Sequence, residues 1–381
     1  MTQKAPVRCG LDNLVMADGL LCGQRVGLMT NPTGVDHDLR SGIDILHERY
    51  HLTALFACEH GIRGDAQAGT KVENYTDPDT GVTVWSVYGA TRRMTAEMTE
   101  QFDVLVFDMQ DVGARFYTYL YSLSYAMEAC AATGKPVVVL DRIDPIGGAV
   151  REGTIHDPRF SSFVGDYGLP SRTGLTMGEF ARYVKAYLGL DRLELTVVPL
   201  TGWQRPMHLP DTDVRWIAPS PNCPTYTAAL CYVGTCVFEG TNLSEGRGTT
   251  QPFELIGAPY VDAAALADRM NAMGLPGVIY RRAYFTPTFS KYAGERCAGV
   301  QVHVTDPAAF RAFDAGLYLL DAVREMYPSD FAWRDGPDSY HLDRLLGTDA
   351  YRLGCSAKEL IAAHAPKIEA FTREVQPFLL Y

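Results

Sequence analysis

The sequence predicts an α/β protein in which a parallel-sheet domain over residues 1–250 is followed by a smaller α/β domain over residues 251–381. Two observations carry this. From about residue 20 to 200, apolar runs of strand length alternate with helical patterns, the order that βαβ units impose. Beyond about residue 255 the alternation gives way to a helix, two strand-like runs and a long amphipathic helix, which suits a separate antiparallel or mixed sheet. At 381 residues the chain also exceeds one typical core.

The elements follow in order. RVGLMT, ending at Asn31, opens the sheet, and the helical spacing of Leu39, Ile43, Ile45 and Leu46 supplies the first crossover. LTALFAC ends at Glu59 and His60, FDVLVFD near Gln110 and Asp111, and KPVVVL at Asp141 and Arg142. TAEMTEQ and YLYSLSYAMEACAATG are the helices ahead of the last two runs. Thr176 and Glu179 make a capping box at the head of MGEFARYVKAYLG, which leads to the strand LELTVVPL. A proline-rich irregular stretch spans about 203–226, and TAALCYVGTCVFEG reads as a core helix or strand. VDAAALADRMNAMG is helical, VIYRRAYFTPTFS and CAGVQVHVTD are strand-like, and PAAFRAFDAGLYLLDAVREMY is an amphipathic helix. Open parallel sheets bind ligands at the carboxyl ends of their strands, so one crevice is expected to gather the polar strand ends.

Composition narrows the function. The formal net charge is -11, the sequence pI about 5.3, and no block of lysines or arginines occurs, so nucleic acid is not an expected partner. No run of about 18 apolar residues is present, and the N-terminus lacks an apolar signal core; a cytoplasmic protein with no membrane insertion is expected. The nine cysteines are odd in number and scattered, with no CxxC pair, which reads as free thiols in a reducing compartment. Nothing in the sequence speaks to oligomeric state.

Four stretches carry candidate chemistry. CEHGIRGDAQAG, 58–69, sets Glu59, His60, Arg63 and Asp65 among three glycines directly after a strand; Glu59 suits general-acid work, the plainer alternative being a tight turn with Glu59 capping a helix. FDMQDVGARFYTY, 107–119, crowds Gln110, Asp111, Arg115, Tyr117 and Tyr119 at one strand end, a mixture suited to a sugar; Asp111 as a cap and Arg115 in an internal ion pair are the alternatives. DRIDPIGG, 141–148, offers Asp141 and Arg142 as ligands or as a pair holding the turn. EGTNLSEGRGTTQPF, 239–253, holds Glu239, Asn242 and Arg247, but its Gly-Arg-Gly-Thr-Thr does not match a phosphate-binding GxxxxGK[ST]. GxGxxG, GxSxG and HExxH are all missing, so no cofactor and no metal is expected, and acid–base chemistry by carboxylates fits best.

Taken together, TNPTG at 30–34, EHGIRGD at 59–65, QDVGARFYTY at 110–119, DRIDP at 141–145, PSPNCPT at 219–225 and EGTNLSEGRGTTQPFE at 239–254 resemble the NamZ-type exo-β-N-acetylmuramidases. The resemblance implies a Rossmann-like N-terminal domain, a smaller C-terminal α/β domain and a cleft between them. It also implies a glycosidase that removes N-acetylmuramic acid from the non-reducing end of peptidoglycan fragments. A non-catalytic muropeptide-binding protein and a hydrolase of a related amino-sugar glycoside are the alternatives, and a saccharide or muropeptide is the expected partner in each case. On this reading Glu59 is the general acid, and its partner is Glu239, Asp111 or the substrate's own acetamido group. Arg63, Arg115 and Arg247 are candidates for the lactyl carboxylate, and Tyr117 and Tyr119 for stacking. Asn31, His60, Gln110, Asp141, Arg142, Asn222 and Asn242 are further substrate contacts. Cys58 stands where the family usually has Pro, and Ile143 and Asp144 where it has Pro and Asn; Asp144 is expected to alter specificity if that position meets substrate.

Overall fold

The computed structural model describes residues 4–59, 61–63, 73–88, 91–334 and 340–381. Strands β1 (Arg25–Thr30), β2 (His51–Ala57), β3 (Tyr75–Thr76), β4 (Thr83–Ser86), β5 (Val104–Asp108), β6 (Val137–Leu140) and β7 (Leu195–Val198) form one sheet in the order β3-β4-β2-β1-β5-β6-β7. All neighbours are parallel except the edge pair β3 and β4. Leu28 on β1 lies between Leu55 of β2 and Val106 of β5. The strands read as unbroken apolar runs because both sheet faces are covered.

Successive side chains alternate between those faces. Val26, Leu28, Val104, Val106 and Val138 meet α1 (Asp18–Leu21) and α2 (Gly42–Arg49). Met29, Phe56, Leu105, Phe107, Val137 and Val139 face the other way, toward α3 (Ala96–Thr99), α4 (Tyr119–Thr133) and α5 (Met177–Tyr187). The expected capping box starts α5: the Thr176 hydroxyl accepts from the Glu179 amide at 3.2 Å and the Glu179 carboxylate from the Thr176 amide at 3.1 Å.

A second core gathers α6 (Tyr226–Thr235), α7 (Ala263–Ala272), α8 (Ala312–Met326), α9 (His341–Leu346) and the antiparallel sheet β8 (Leu255–Ala258), β10 (Cys297–Val304), β9 (Val278–Phe285). TAALCYVGTCVFEG is thus helix α6 running into a 3-10 turn at Cys236–Gly240. Its apolar residues belong to the second core, ahead of the boundary expected at residue 250. Val112, Ala114 and Phe116, from the loop after β5, also enter that core, so the loop ties the two bodies together.

Two local expectations change. Leu39 lies before α2, exposed and with φ 67°, because the helix starts only after the Ser41 cap. The strand-like VIYRRAYFTPTFS is strand only to Phe285. The final helix α10 (Ala357–Glu374) is mostly polar, buries only Ala357, Leu360, His364 and Phe371, and holds Pro366 inside it, which leaves little periodic signal in the sequence. Among the described residues no helix is long and apolar enough to cross a membrane.

The crossing of α6 and α8 depends on two glycines. A Cβ on Gly316 would stand 2.1 Å from the Gly234 carbonyl oxygen, and one on Gly234 would stand 1.8 Å from that of Ala312. Backbone lies on both sides, so a methyl group fits only if a helix moves. Gly316→Ala is expected to destabilise the fold by about 1–3 kcal/mol, read as a lower denaturation midpoint at unchanged slope; an unchanged midpoint would contradict the close approach.

Candidate active site

The loop that follows β5 turns at Gly113 (φ 77°), where a Cβ would stand 2.5 Å from an Asp144 carboxylate oxygen. Arg115 then buries its whole side chain. Its guanidinium donates to the carbonyl oxygens of Thr154 (2.5 Å), Leu169 (2.6 Å) and Leu345 (2.6 Å). Leu345 lies in the last turn of α9, where helix carbonyls lack intrahelical partners, and the Thr154 hydroxyl donates to the next one, Leu346 O, at 2.5 Å. Burial pulls the Arg115 guanidinium down to about 10. Arg115 is therefore an anchor that fixes α9 against the loop, and it does not reach a ligand.

With α9 so fixed, a cleft opens between the two bodies in two joined lobes. One, of about 480 Å³, is walled by Tyr117, Tyr119, Ser220, Asn222 and Phe253. The other, of about 780 Å³, is walled by Tyr88, Arg92, Phe163, Glu239, His341 and Arg344. Glu59, Phe116, Thr118, Tyr232 and Arg247 line both. Glu59 follows β2; its carboxylate accepts from the Tyr88 hydroxyl at 3.0 Å and from the Thr118 hydroxyl at 3.0 Å. Tyr117 meets Tyr119 edge-on at 4.9 Å, and Tyr232 meets Phe253 at 4.6 Å, a geometry favoured for aromatic pairs that gives the cleft apolar walls. The Asn222 side chain makes no protein hydrogen bond among the described residues.

Glu239 arrives from the 3-10 turn after α6. Arg247 donates to it at 2.6 Å, and His341 Nε2 lies 3.5 Å away. Arg247 also faces Glu245 at 3.4 Å, which in turn pairs with Lys291 at 2.9 Å. Burial alone would raise the Glu239 carboxyl, but the charge and hydrogen bonds of Arg247 and His341 outweigh it and hold the group down at about 2. It stays an anion at every working pH.

Of the residues singled out in the sequence, Glu59, Glu239, Tyr117, Tyr119, Asn222 and Arg247 meet in this cleft. His60 and Asp65 lie outside the described residues. Arg63 is turned to Asp77 (2.9 Å) and Asp79 (3.0 Å). Asn31 is buried and accepts from the Thr33 amide and hydroxyl. Gln110 donates to the carbonyls of Asp111 and Ile143. Asp141 accepts from the Gly178 amide at the head of α5 and from the Thr176 and Tyr381 hydroxyls. Arg142 pairs with Asp108 at 2.6 and 2.8 Å. Asn242 is held by Asp330 O, Tyr260 and the Ala332 amide. These groups bond nearby backbone or one another, as buried polar groups tend to, although the Asn31 Nδ2 donor has no partner among the described residues. A separate cavity of about 510 Å³ does lie where the strand order reverses between β1 and β5, with Gln110 and Arg142 in its wall, but neither carboxyl group of the cleft faces it.

Asp111 is one layer beneath the wall: it lines neither lobe, but lies close to Tyr117 and Cys223, which do. The three departures are also buried and line no part of the cleft. Tyr88, Thr118, Tyr232, His341, Arg92 and Arg344 escaped the sequence reading; only Thr118, inside the QDVGARFYTY motif, had a signal that marked it.

Two outcomes follow from this geometry. Arg115 serves its three carbonyls from two separate nitrogens, a fork that the single ammonium of Lys cannot reproduce, so Arg115→Lys is expected to cost about 1–3 kcal/mol for each acceptor left unpaired, measured by denaturant melts. Burial pushes the Asp111 carboxyl up to about 8. The folded protein then holds a proton that the unfolded chain releases near pH 4 (roughly), so stability falls as pH rises through that window up to about 8. Asp111→Asn should show a smaller drop in Tm between about pH 6 and pH 8 than the parent; equal drops would count against the raised carboxyl.

The chain is similar over its whole length to known proteins. The profile described as exo-β-N-acetylmuramidase NamZ, N-terminal, matches residues 26–227, and the C-terminal one matches residues 230–381. The peptidoglycan β-N-acetylmuramidase NamZ of Bacillus subtilis (strain 168) is 44% identical over 386 residues, covering 100% of this chain and 92% of that protein. A DUF1343 family protein of Bacteroides fragilis NCTC 9343, solved by crystallography, superposes with a TM-score of 0.91 at 36% identity over 100% of both chains. A second from the same organism has a TM-score of 0.75 at 30% identity, over 98% of this chain and 99% of its own. The chain belongs to the NamZ exo-β-N-acetylmuramidase family of glycosidases.

Proposed function

We propose that the protein releases N-acetylmuramic acid from the non-reducing end of peptidoglycan fragments, with Glu59 as general acid and Glu239 as its ionised partner. The observation that carries this is the placing of both carboxyl groups on one cavity of about 780 Å³. Glycoside hydrolysis needs one carboxyl group to protonate the leaving oxygen and a carboxylate to stabilise or attack the cationic centre. Glu239, held as an anion by Arg247, suits the second task and is excluded from the first. Glu59 is positioned by two hydroxyls, from Tyr88 and Thr118, on the lobe that Glu239 also lines, and we assign it the protonation of the leaving oxygen.

The aromatic wall of Tyr117, Tyr119 and Tyr232 supports a sugar ring by its apolar face, and the Asn222 amide is placed to read a hydroxyl or the acetamide. Nine free cysteines, most of them buried, support a reducing compartment, and we place the enzyme in the cytoplasm, acting on imported fragments.

Release of free N-acetylmuramic acid from a muramic-acid-terminated disaccharide tests the assignment. Glu59→Gln is expected to lower the rate about 10²–10⁴-fold while the fold melts as in the parent. A variant that keeps parental turnover would remove Glu59 from the acid role.

A further inference from the structure

We propose that Arg92 reads the carboxylate of the substrate's lactyl group and so sets the preference for muramic acid over its uncharged counterpart; this rests on the glycosidase reading above. The protein carries a net charge of -11, so an anionic sugar needs a local cation in the cleft. The three arginines first suggested for that task are committed elsewhere. Arg63 pairs with Asp77 and Asp79, Arg115 is spent on three carbonyls, and Arg247 faces Glu239 and Glu245.

Arg92 differs from all three. It lines the same lobe as Glu59, and its guanidinium carbon stands 4.3 Å from the centre of the Phe163 ring and 5.6 Å from that of Tyr88. Tyr88 is the residue whose hydroxyl donates to Glu59 at 3.0 Å, so the cation is one aromatic ring away from the proposed acid. Stacking holds the flat face of a guanidinium and leaves its N–H edge for a planar anion. Among the described residues Arg92 forms no ion pair with a carboxylate, whereas its neighbour Arg93 pairs with Glu128 at 2.7 Å. A stacked, oriented and unneutralised fork is the partner a carboxylate takes bidentately.

The test compares the chromogenic β-glycoside of N-acetylmuramic acid with its lactyl-amide analogue, which has the same shape and no charge. For Arg92→Gln, kcat/KM on the carboxylate substrate is expected to fall about 10- to 100-fold, mainly through KM, with less than about a 3-fold change on the amide. Arg92→Lys, which keeps the charge and loses the fork, should fall between. Equal losses on both substrates would make Arg92 a mere support for Tyr88 and overturn the proposal, as would a change of preference in Arg344→Gln but not in Arg92→Gln. Calorimetric binding of free N-acetylmuramic acid against N-acetylglucosamine to the same variants reads Arg92 without turnover. Inactivity of the parent therefore fails the glycosidase reading alone, while binding that ignores Arg92→Gln fails this one.

Discussion

The cleft exists because one buried cation has no carboxylate to pair with. Arg115 is fully enclosed, and its charge is met by the carbonyl oxygens of Thr154, Leu169 and Leu345, which belong to two segments distant in sequence. A buried charge needs acceptors; both terminal nitrogens of Arg115 find them while Nε has none among the described residues, and those acceptors are mostly backbone, which moves only with its chain. The loop after β5, the 154–169 segment and the C-terminal end of α9 are thereby held in one arrangement. That arrangement sets His341 and Arg344, on α9, across from Glu59, which follows β2. An ion pair with a flexible carboxylate side chain would have neutralised the charge without fixing three stretches of backbone.

Electrostatic environment then separates carboxyl groups of the same chemical type. Glu239 sits against Arg247 and His341 and is held as an anion. Asp111, a layer beneath, is enclosed without a cation; one of its oxygens accepts from the Gly113 amide while the other has no partner, and burial raises it to about 8. Only Glu239 faces the cavity. Of the two carboxyl groups first considered as Glu59's partner, the one held as an anion lines the cleft, whereas Asp111 lies behind Tyr117.

The sheet was legible because its strands are continuous apolar runs, and the polar strand ends were legible as positions. What those ends do was not. Asn31, Gln110, Asp141 and Arg142 look like ligands in the sequence, but each is turned to nearby backbone, hydroxyls or a buried carboxylate. Parallel strands leave loop amides and carbonyls to be satisfied where they end, and polar side chains at that edge serve this need as readily as a ligand. Glu59, Tyr117 and Tyr119 stood out after apolar strands, Glu239 and Arg247 in a glycine-rich turn, and Asn222 through a family motif alone. Tyr232 was hidden in the apolar pattern of α6, and His341 opens a short helix with no motif around it.

The same division explains where this chain departs from its family's usual residues. Cys58 directly precedes Glu59 but packs into the core between the sheet and α4, and burial pushes its thiol up to about 12. Ile143 joins a small cluster with Val7, Leu200, Trp203 and Leu209. Asp144 accepts from the Ile146 amide at 3.1 Å and rests against Gly113, with its carboxyl raised by burial to about 7. None of the three touches the cleft wall. Asp144 nonetheless bears on it through one residue, because Gly113 is the turn from which the 114–119 wall departs. The Asp that stands there in place of the usual Asn lies off the cleft wall and bears on it through how firmly that wall is seated.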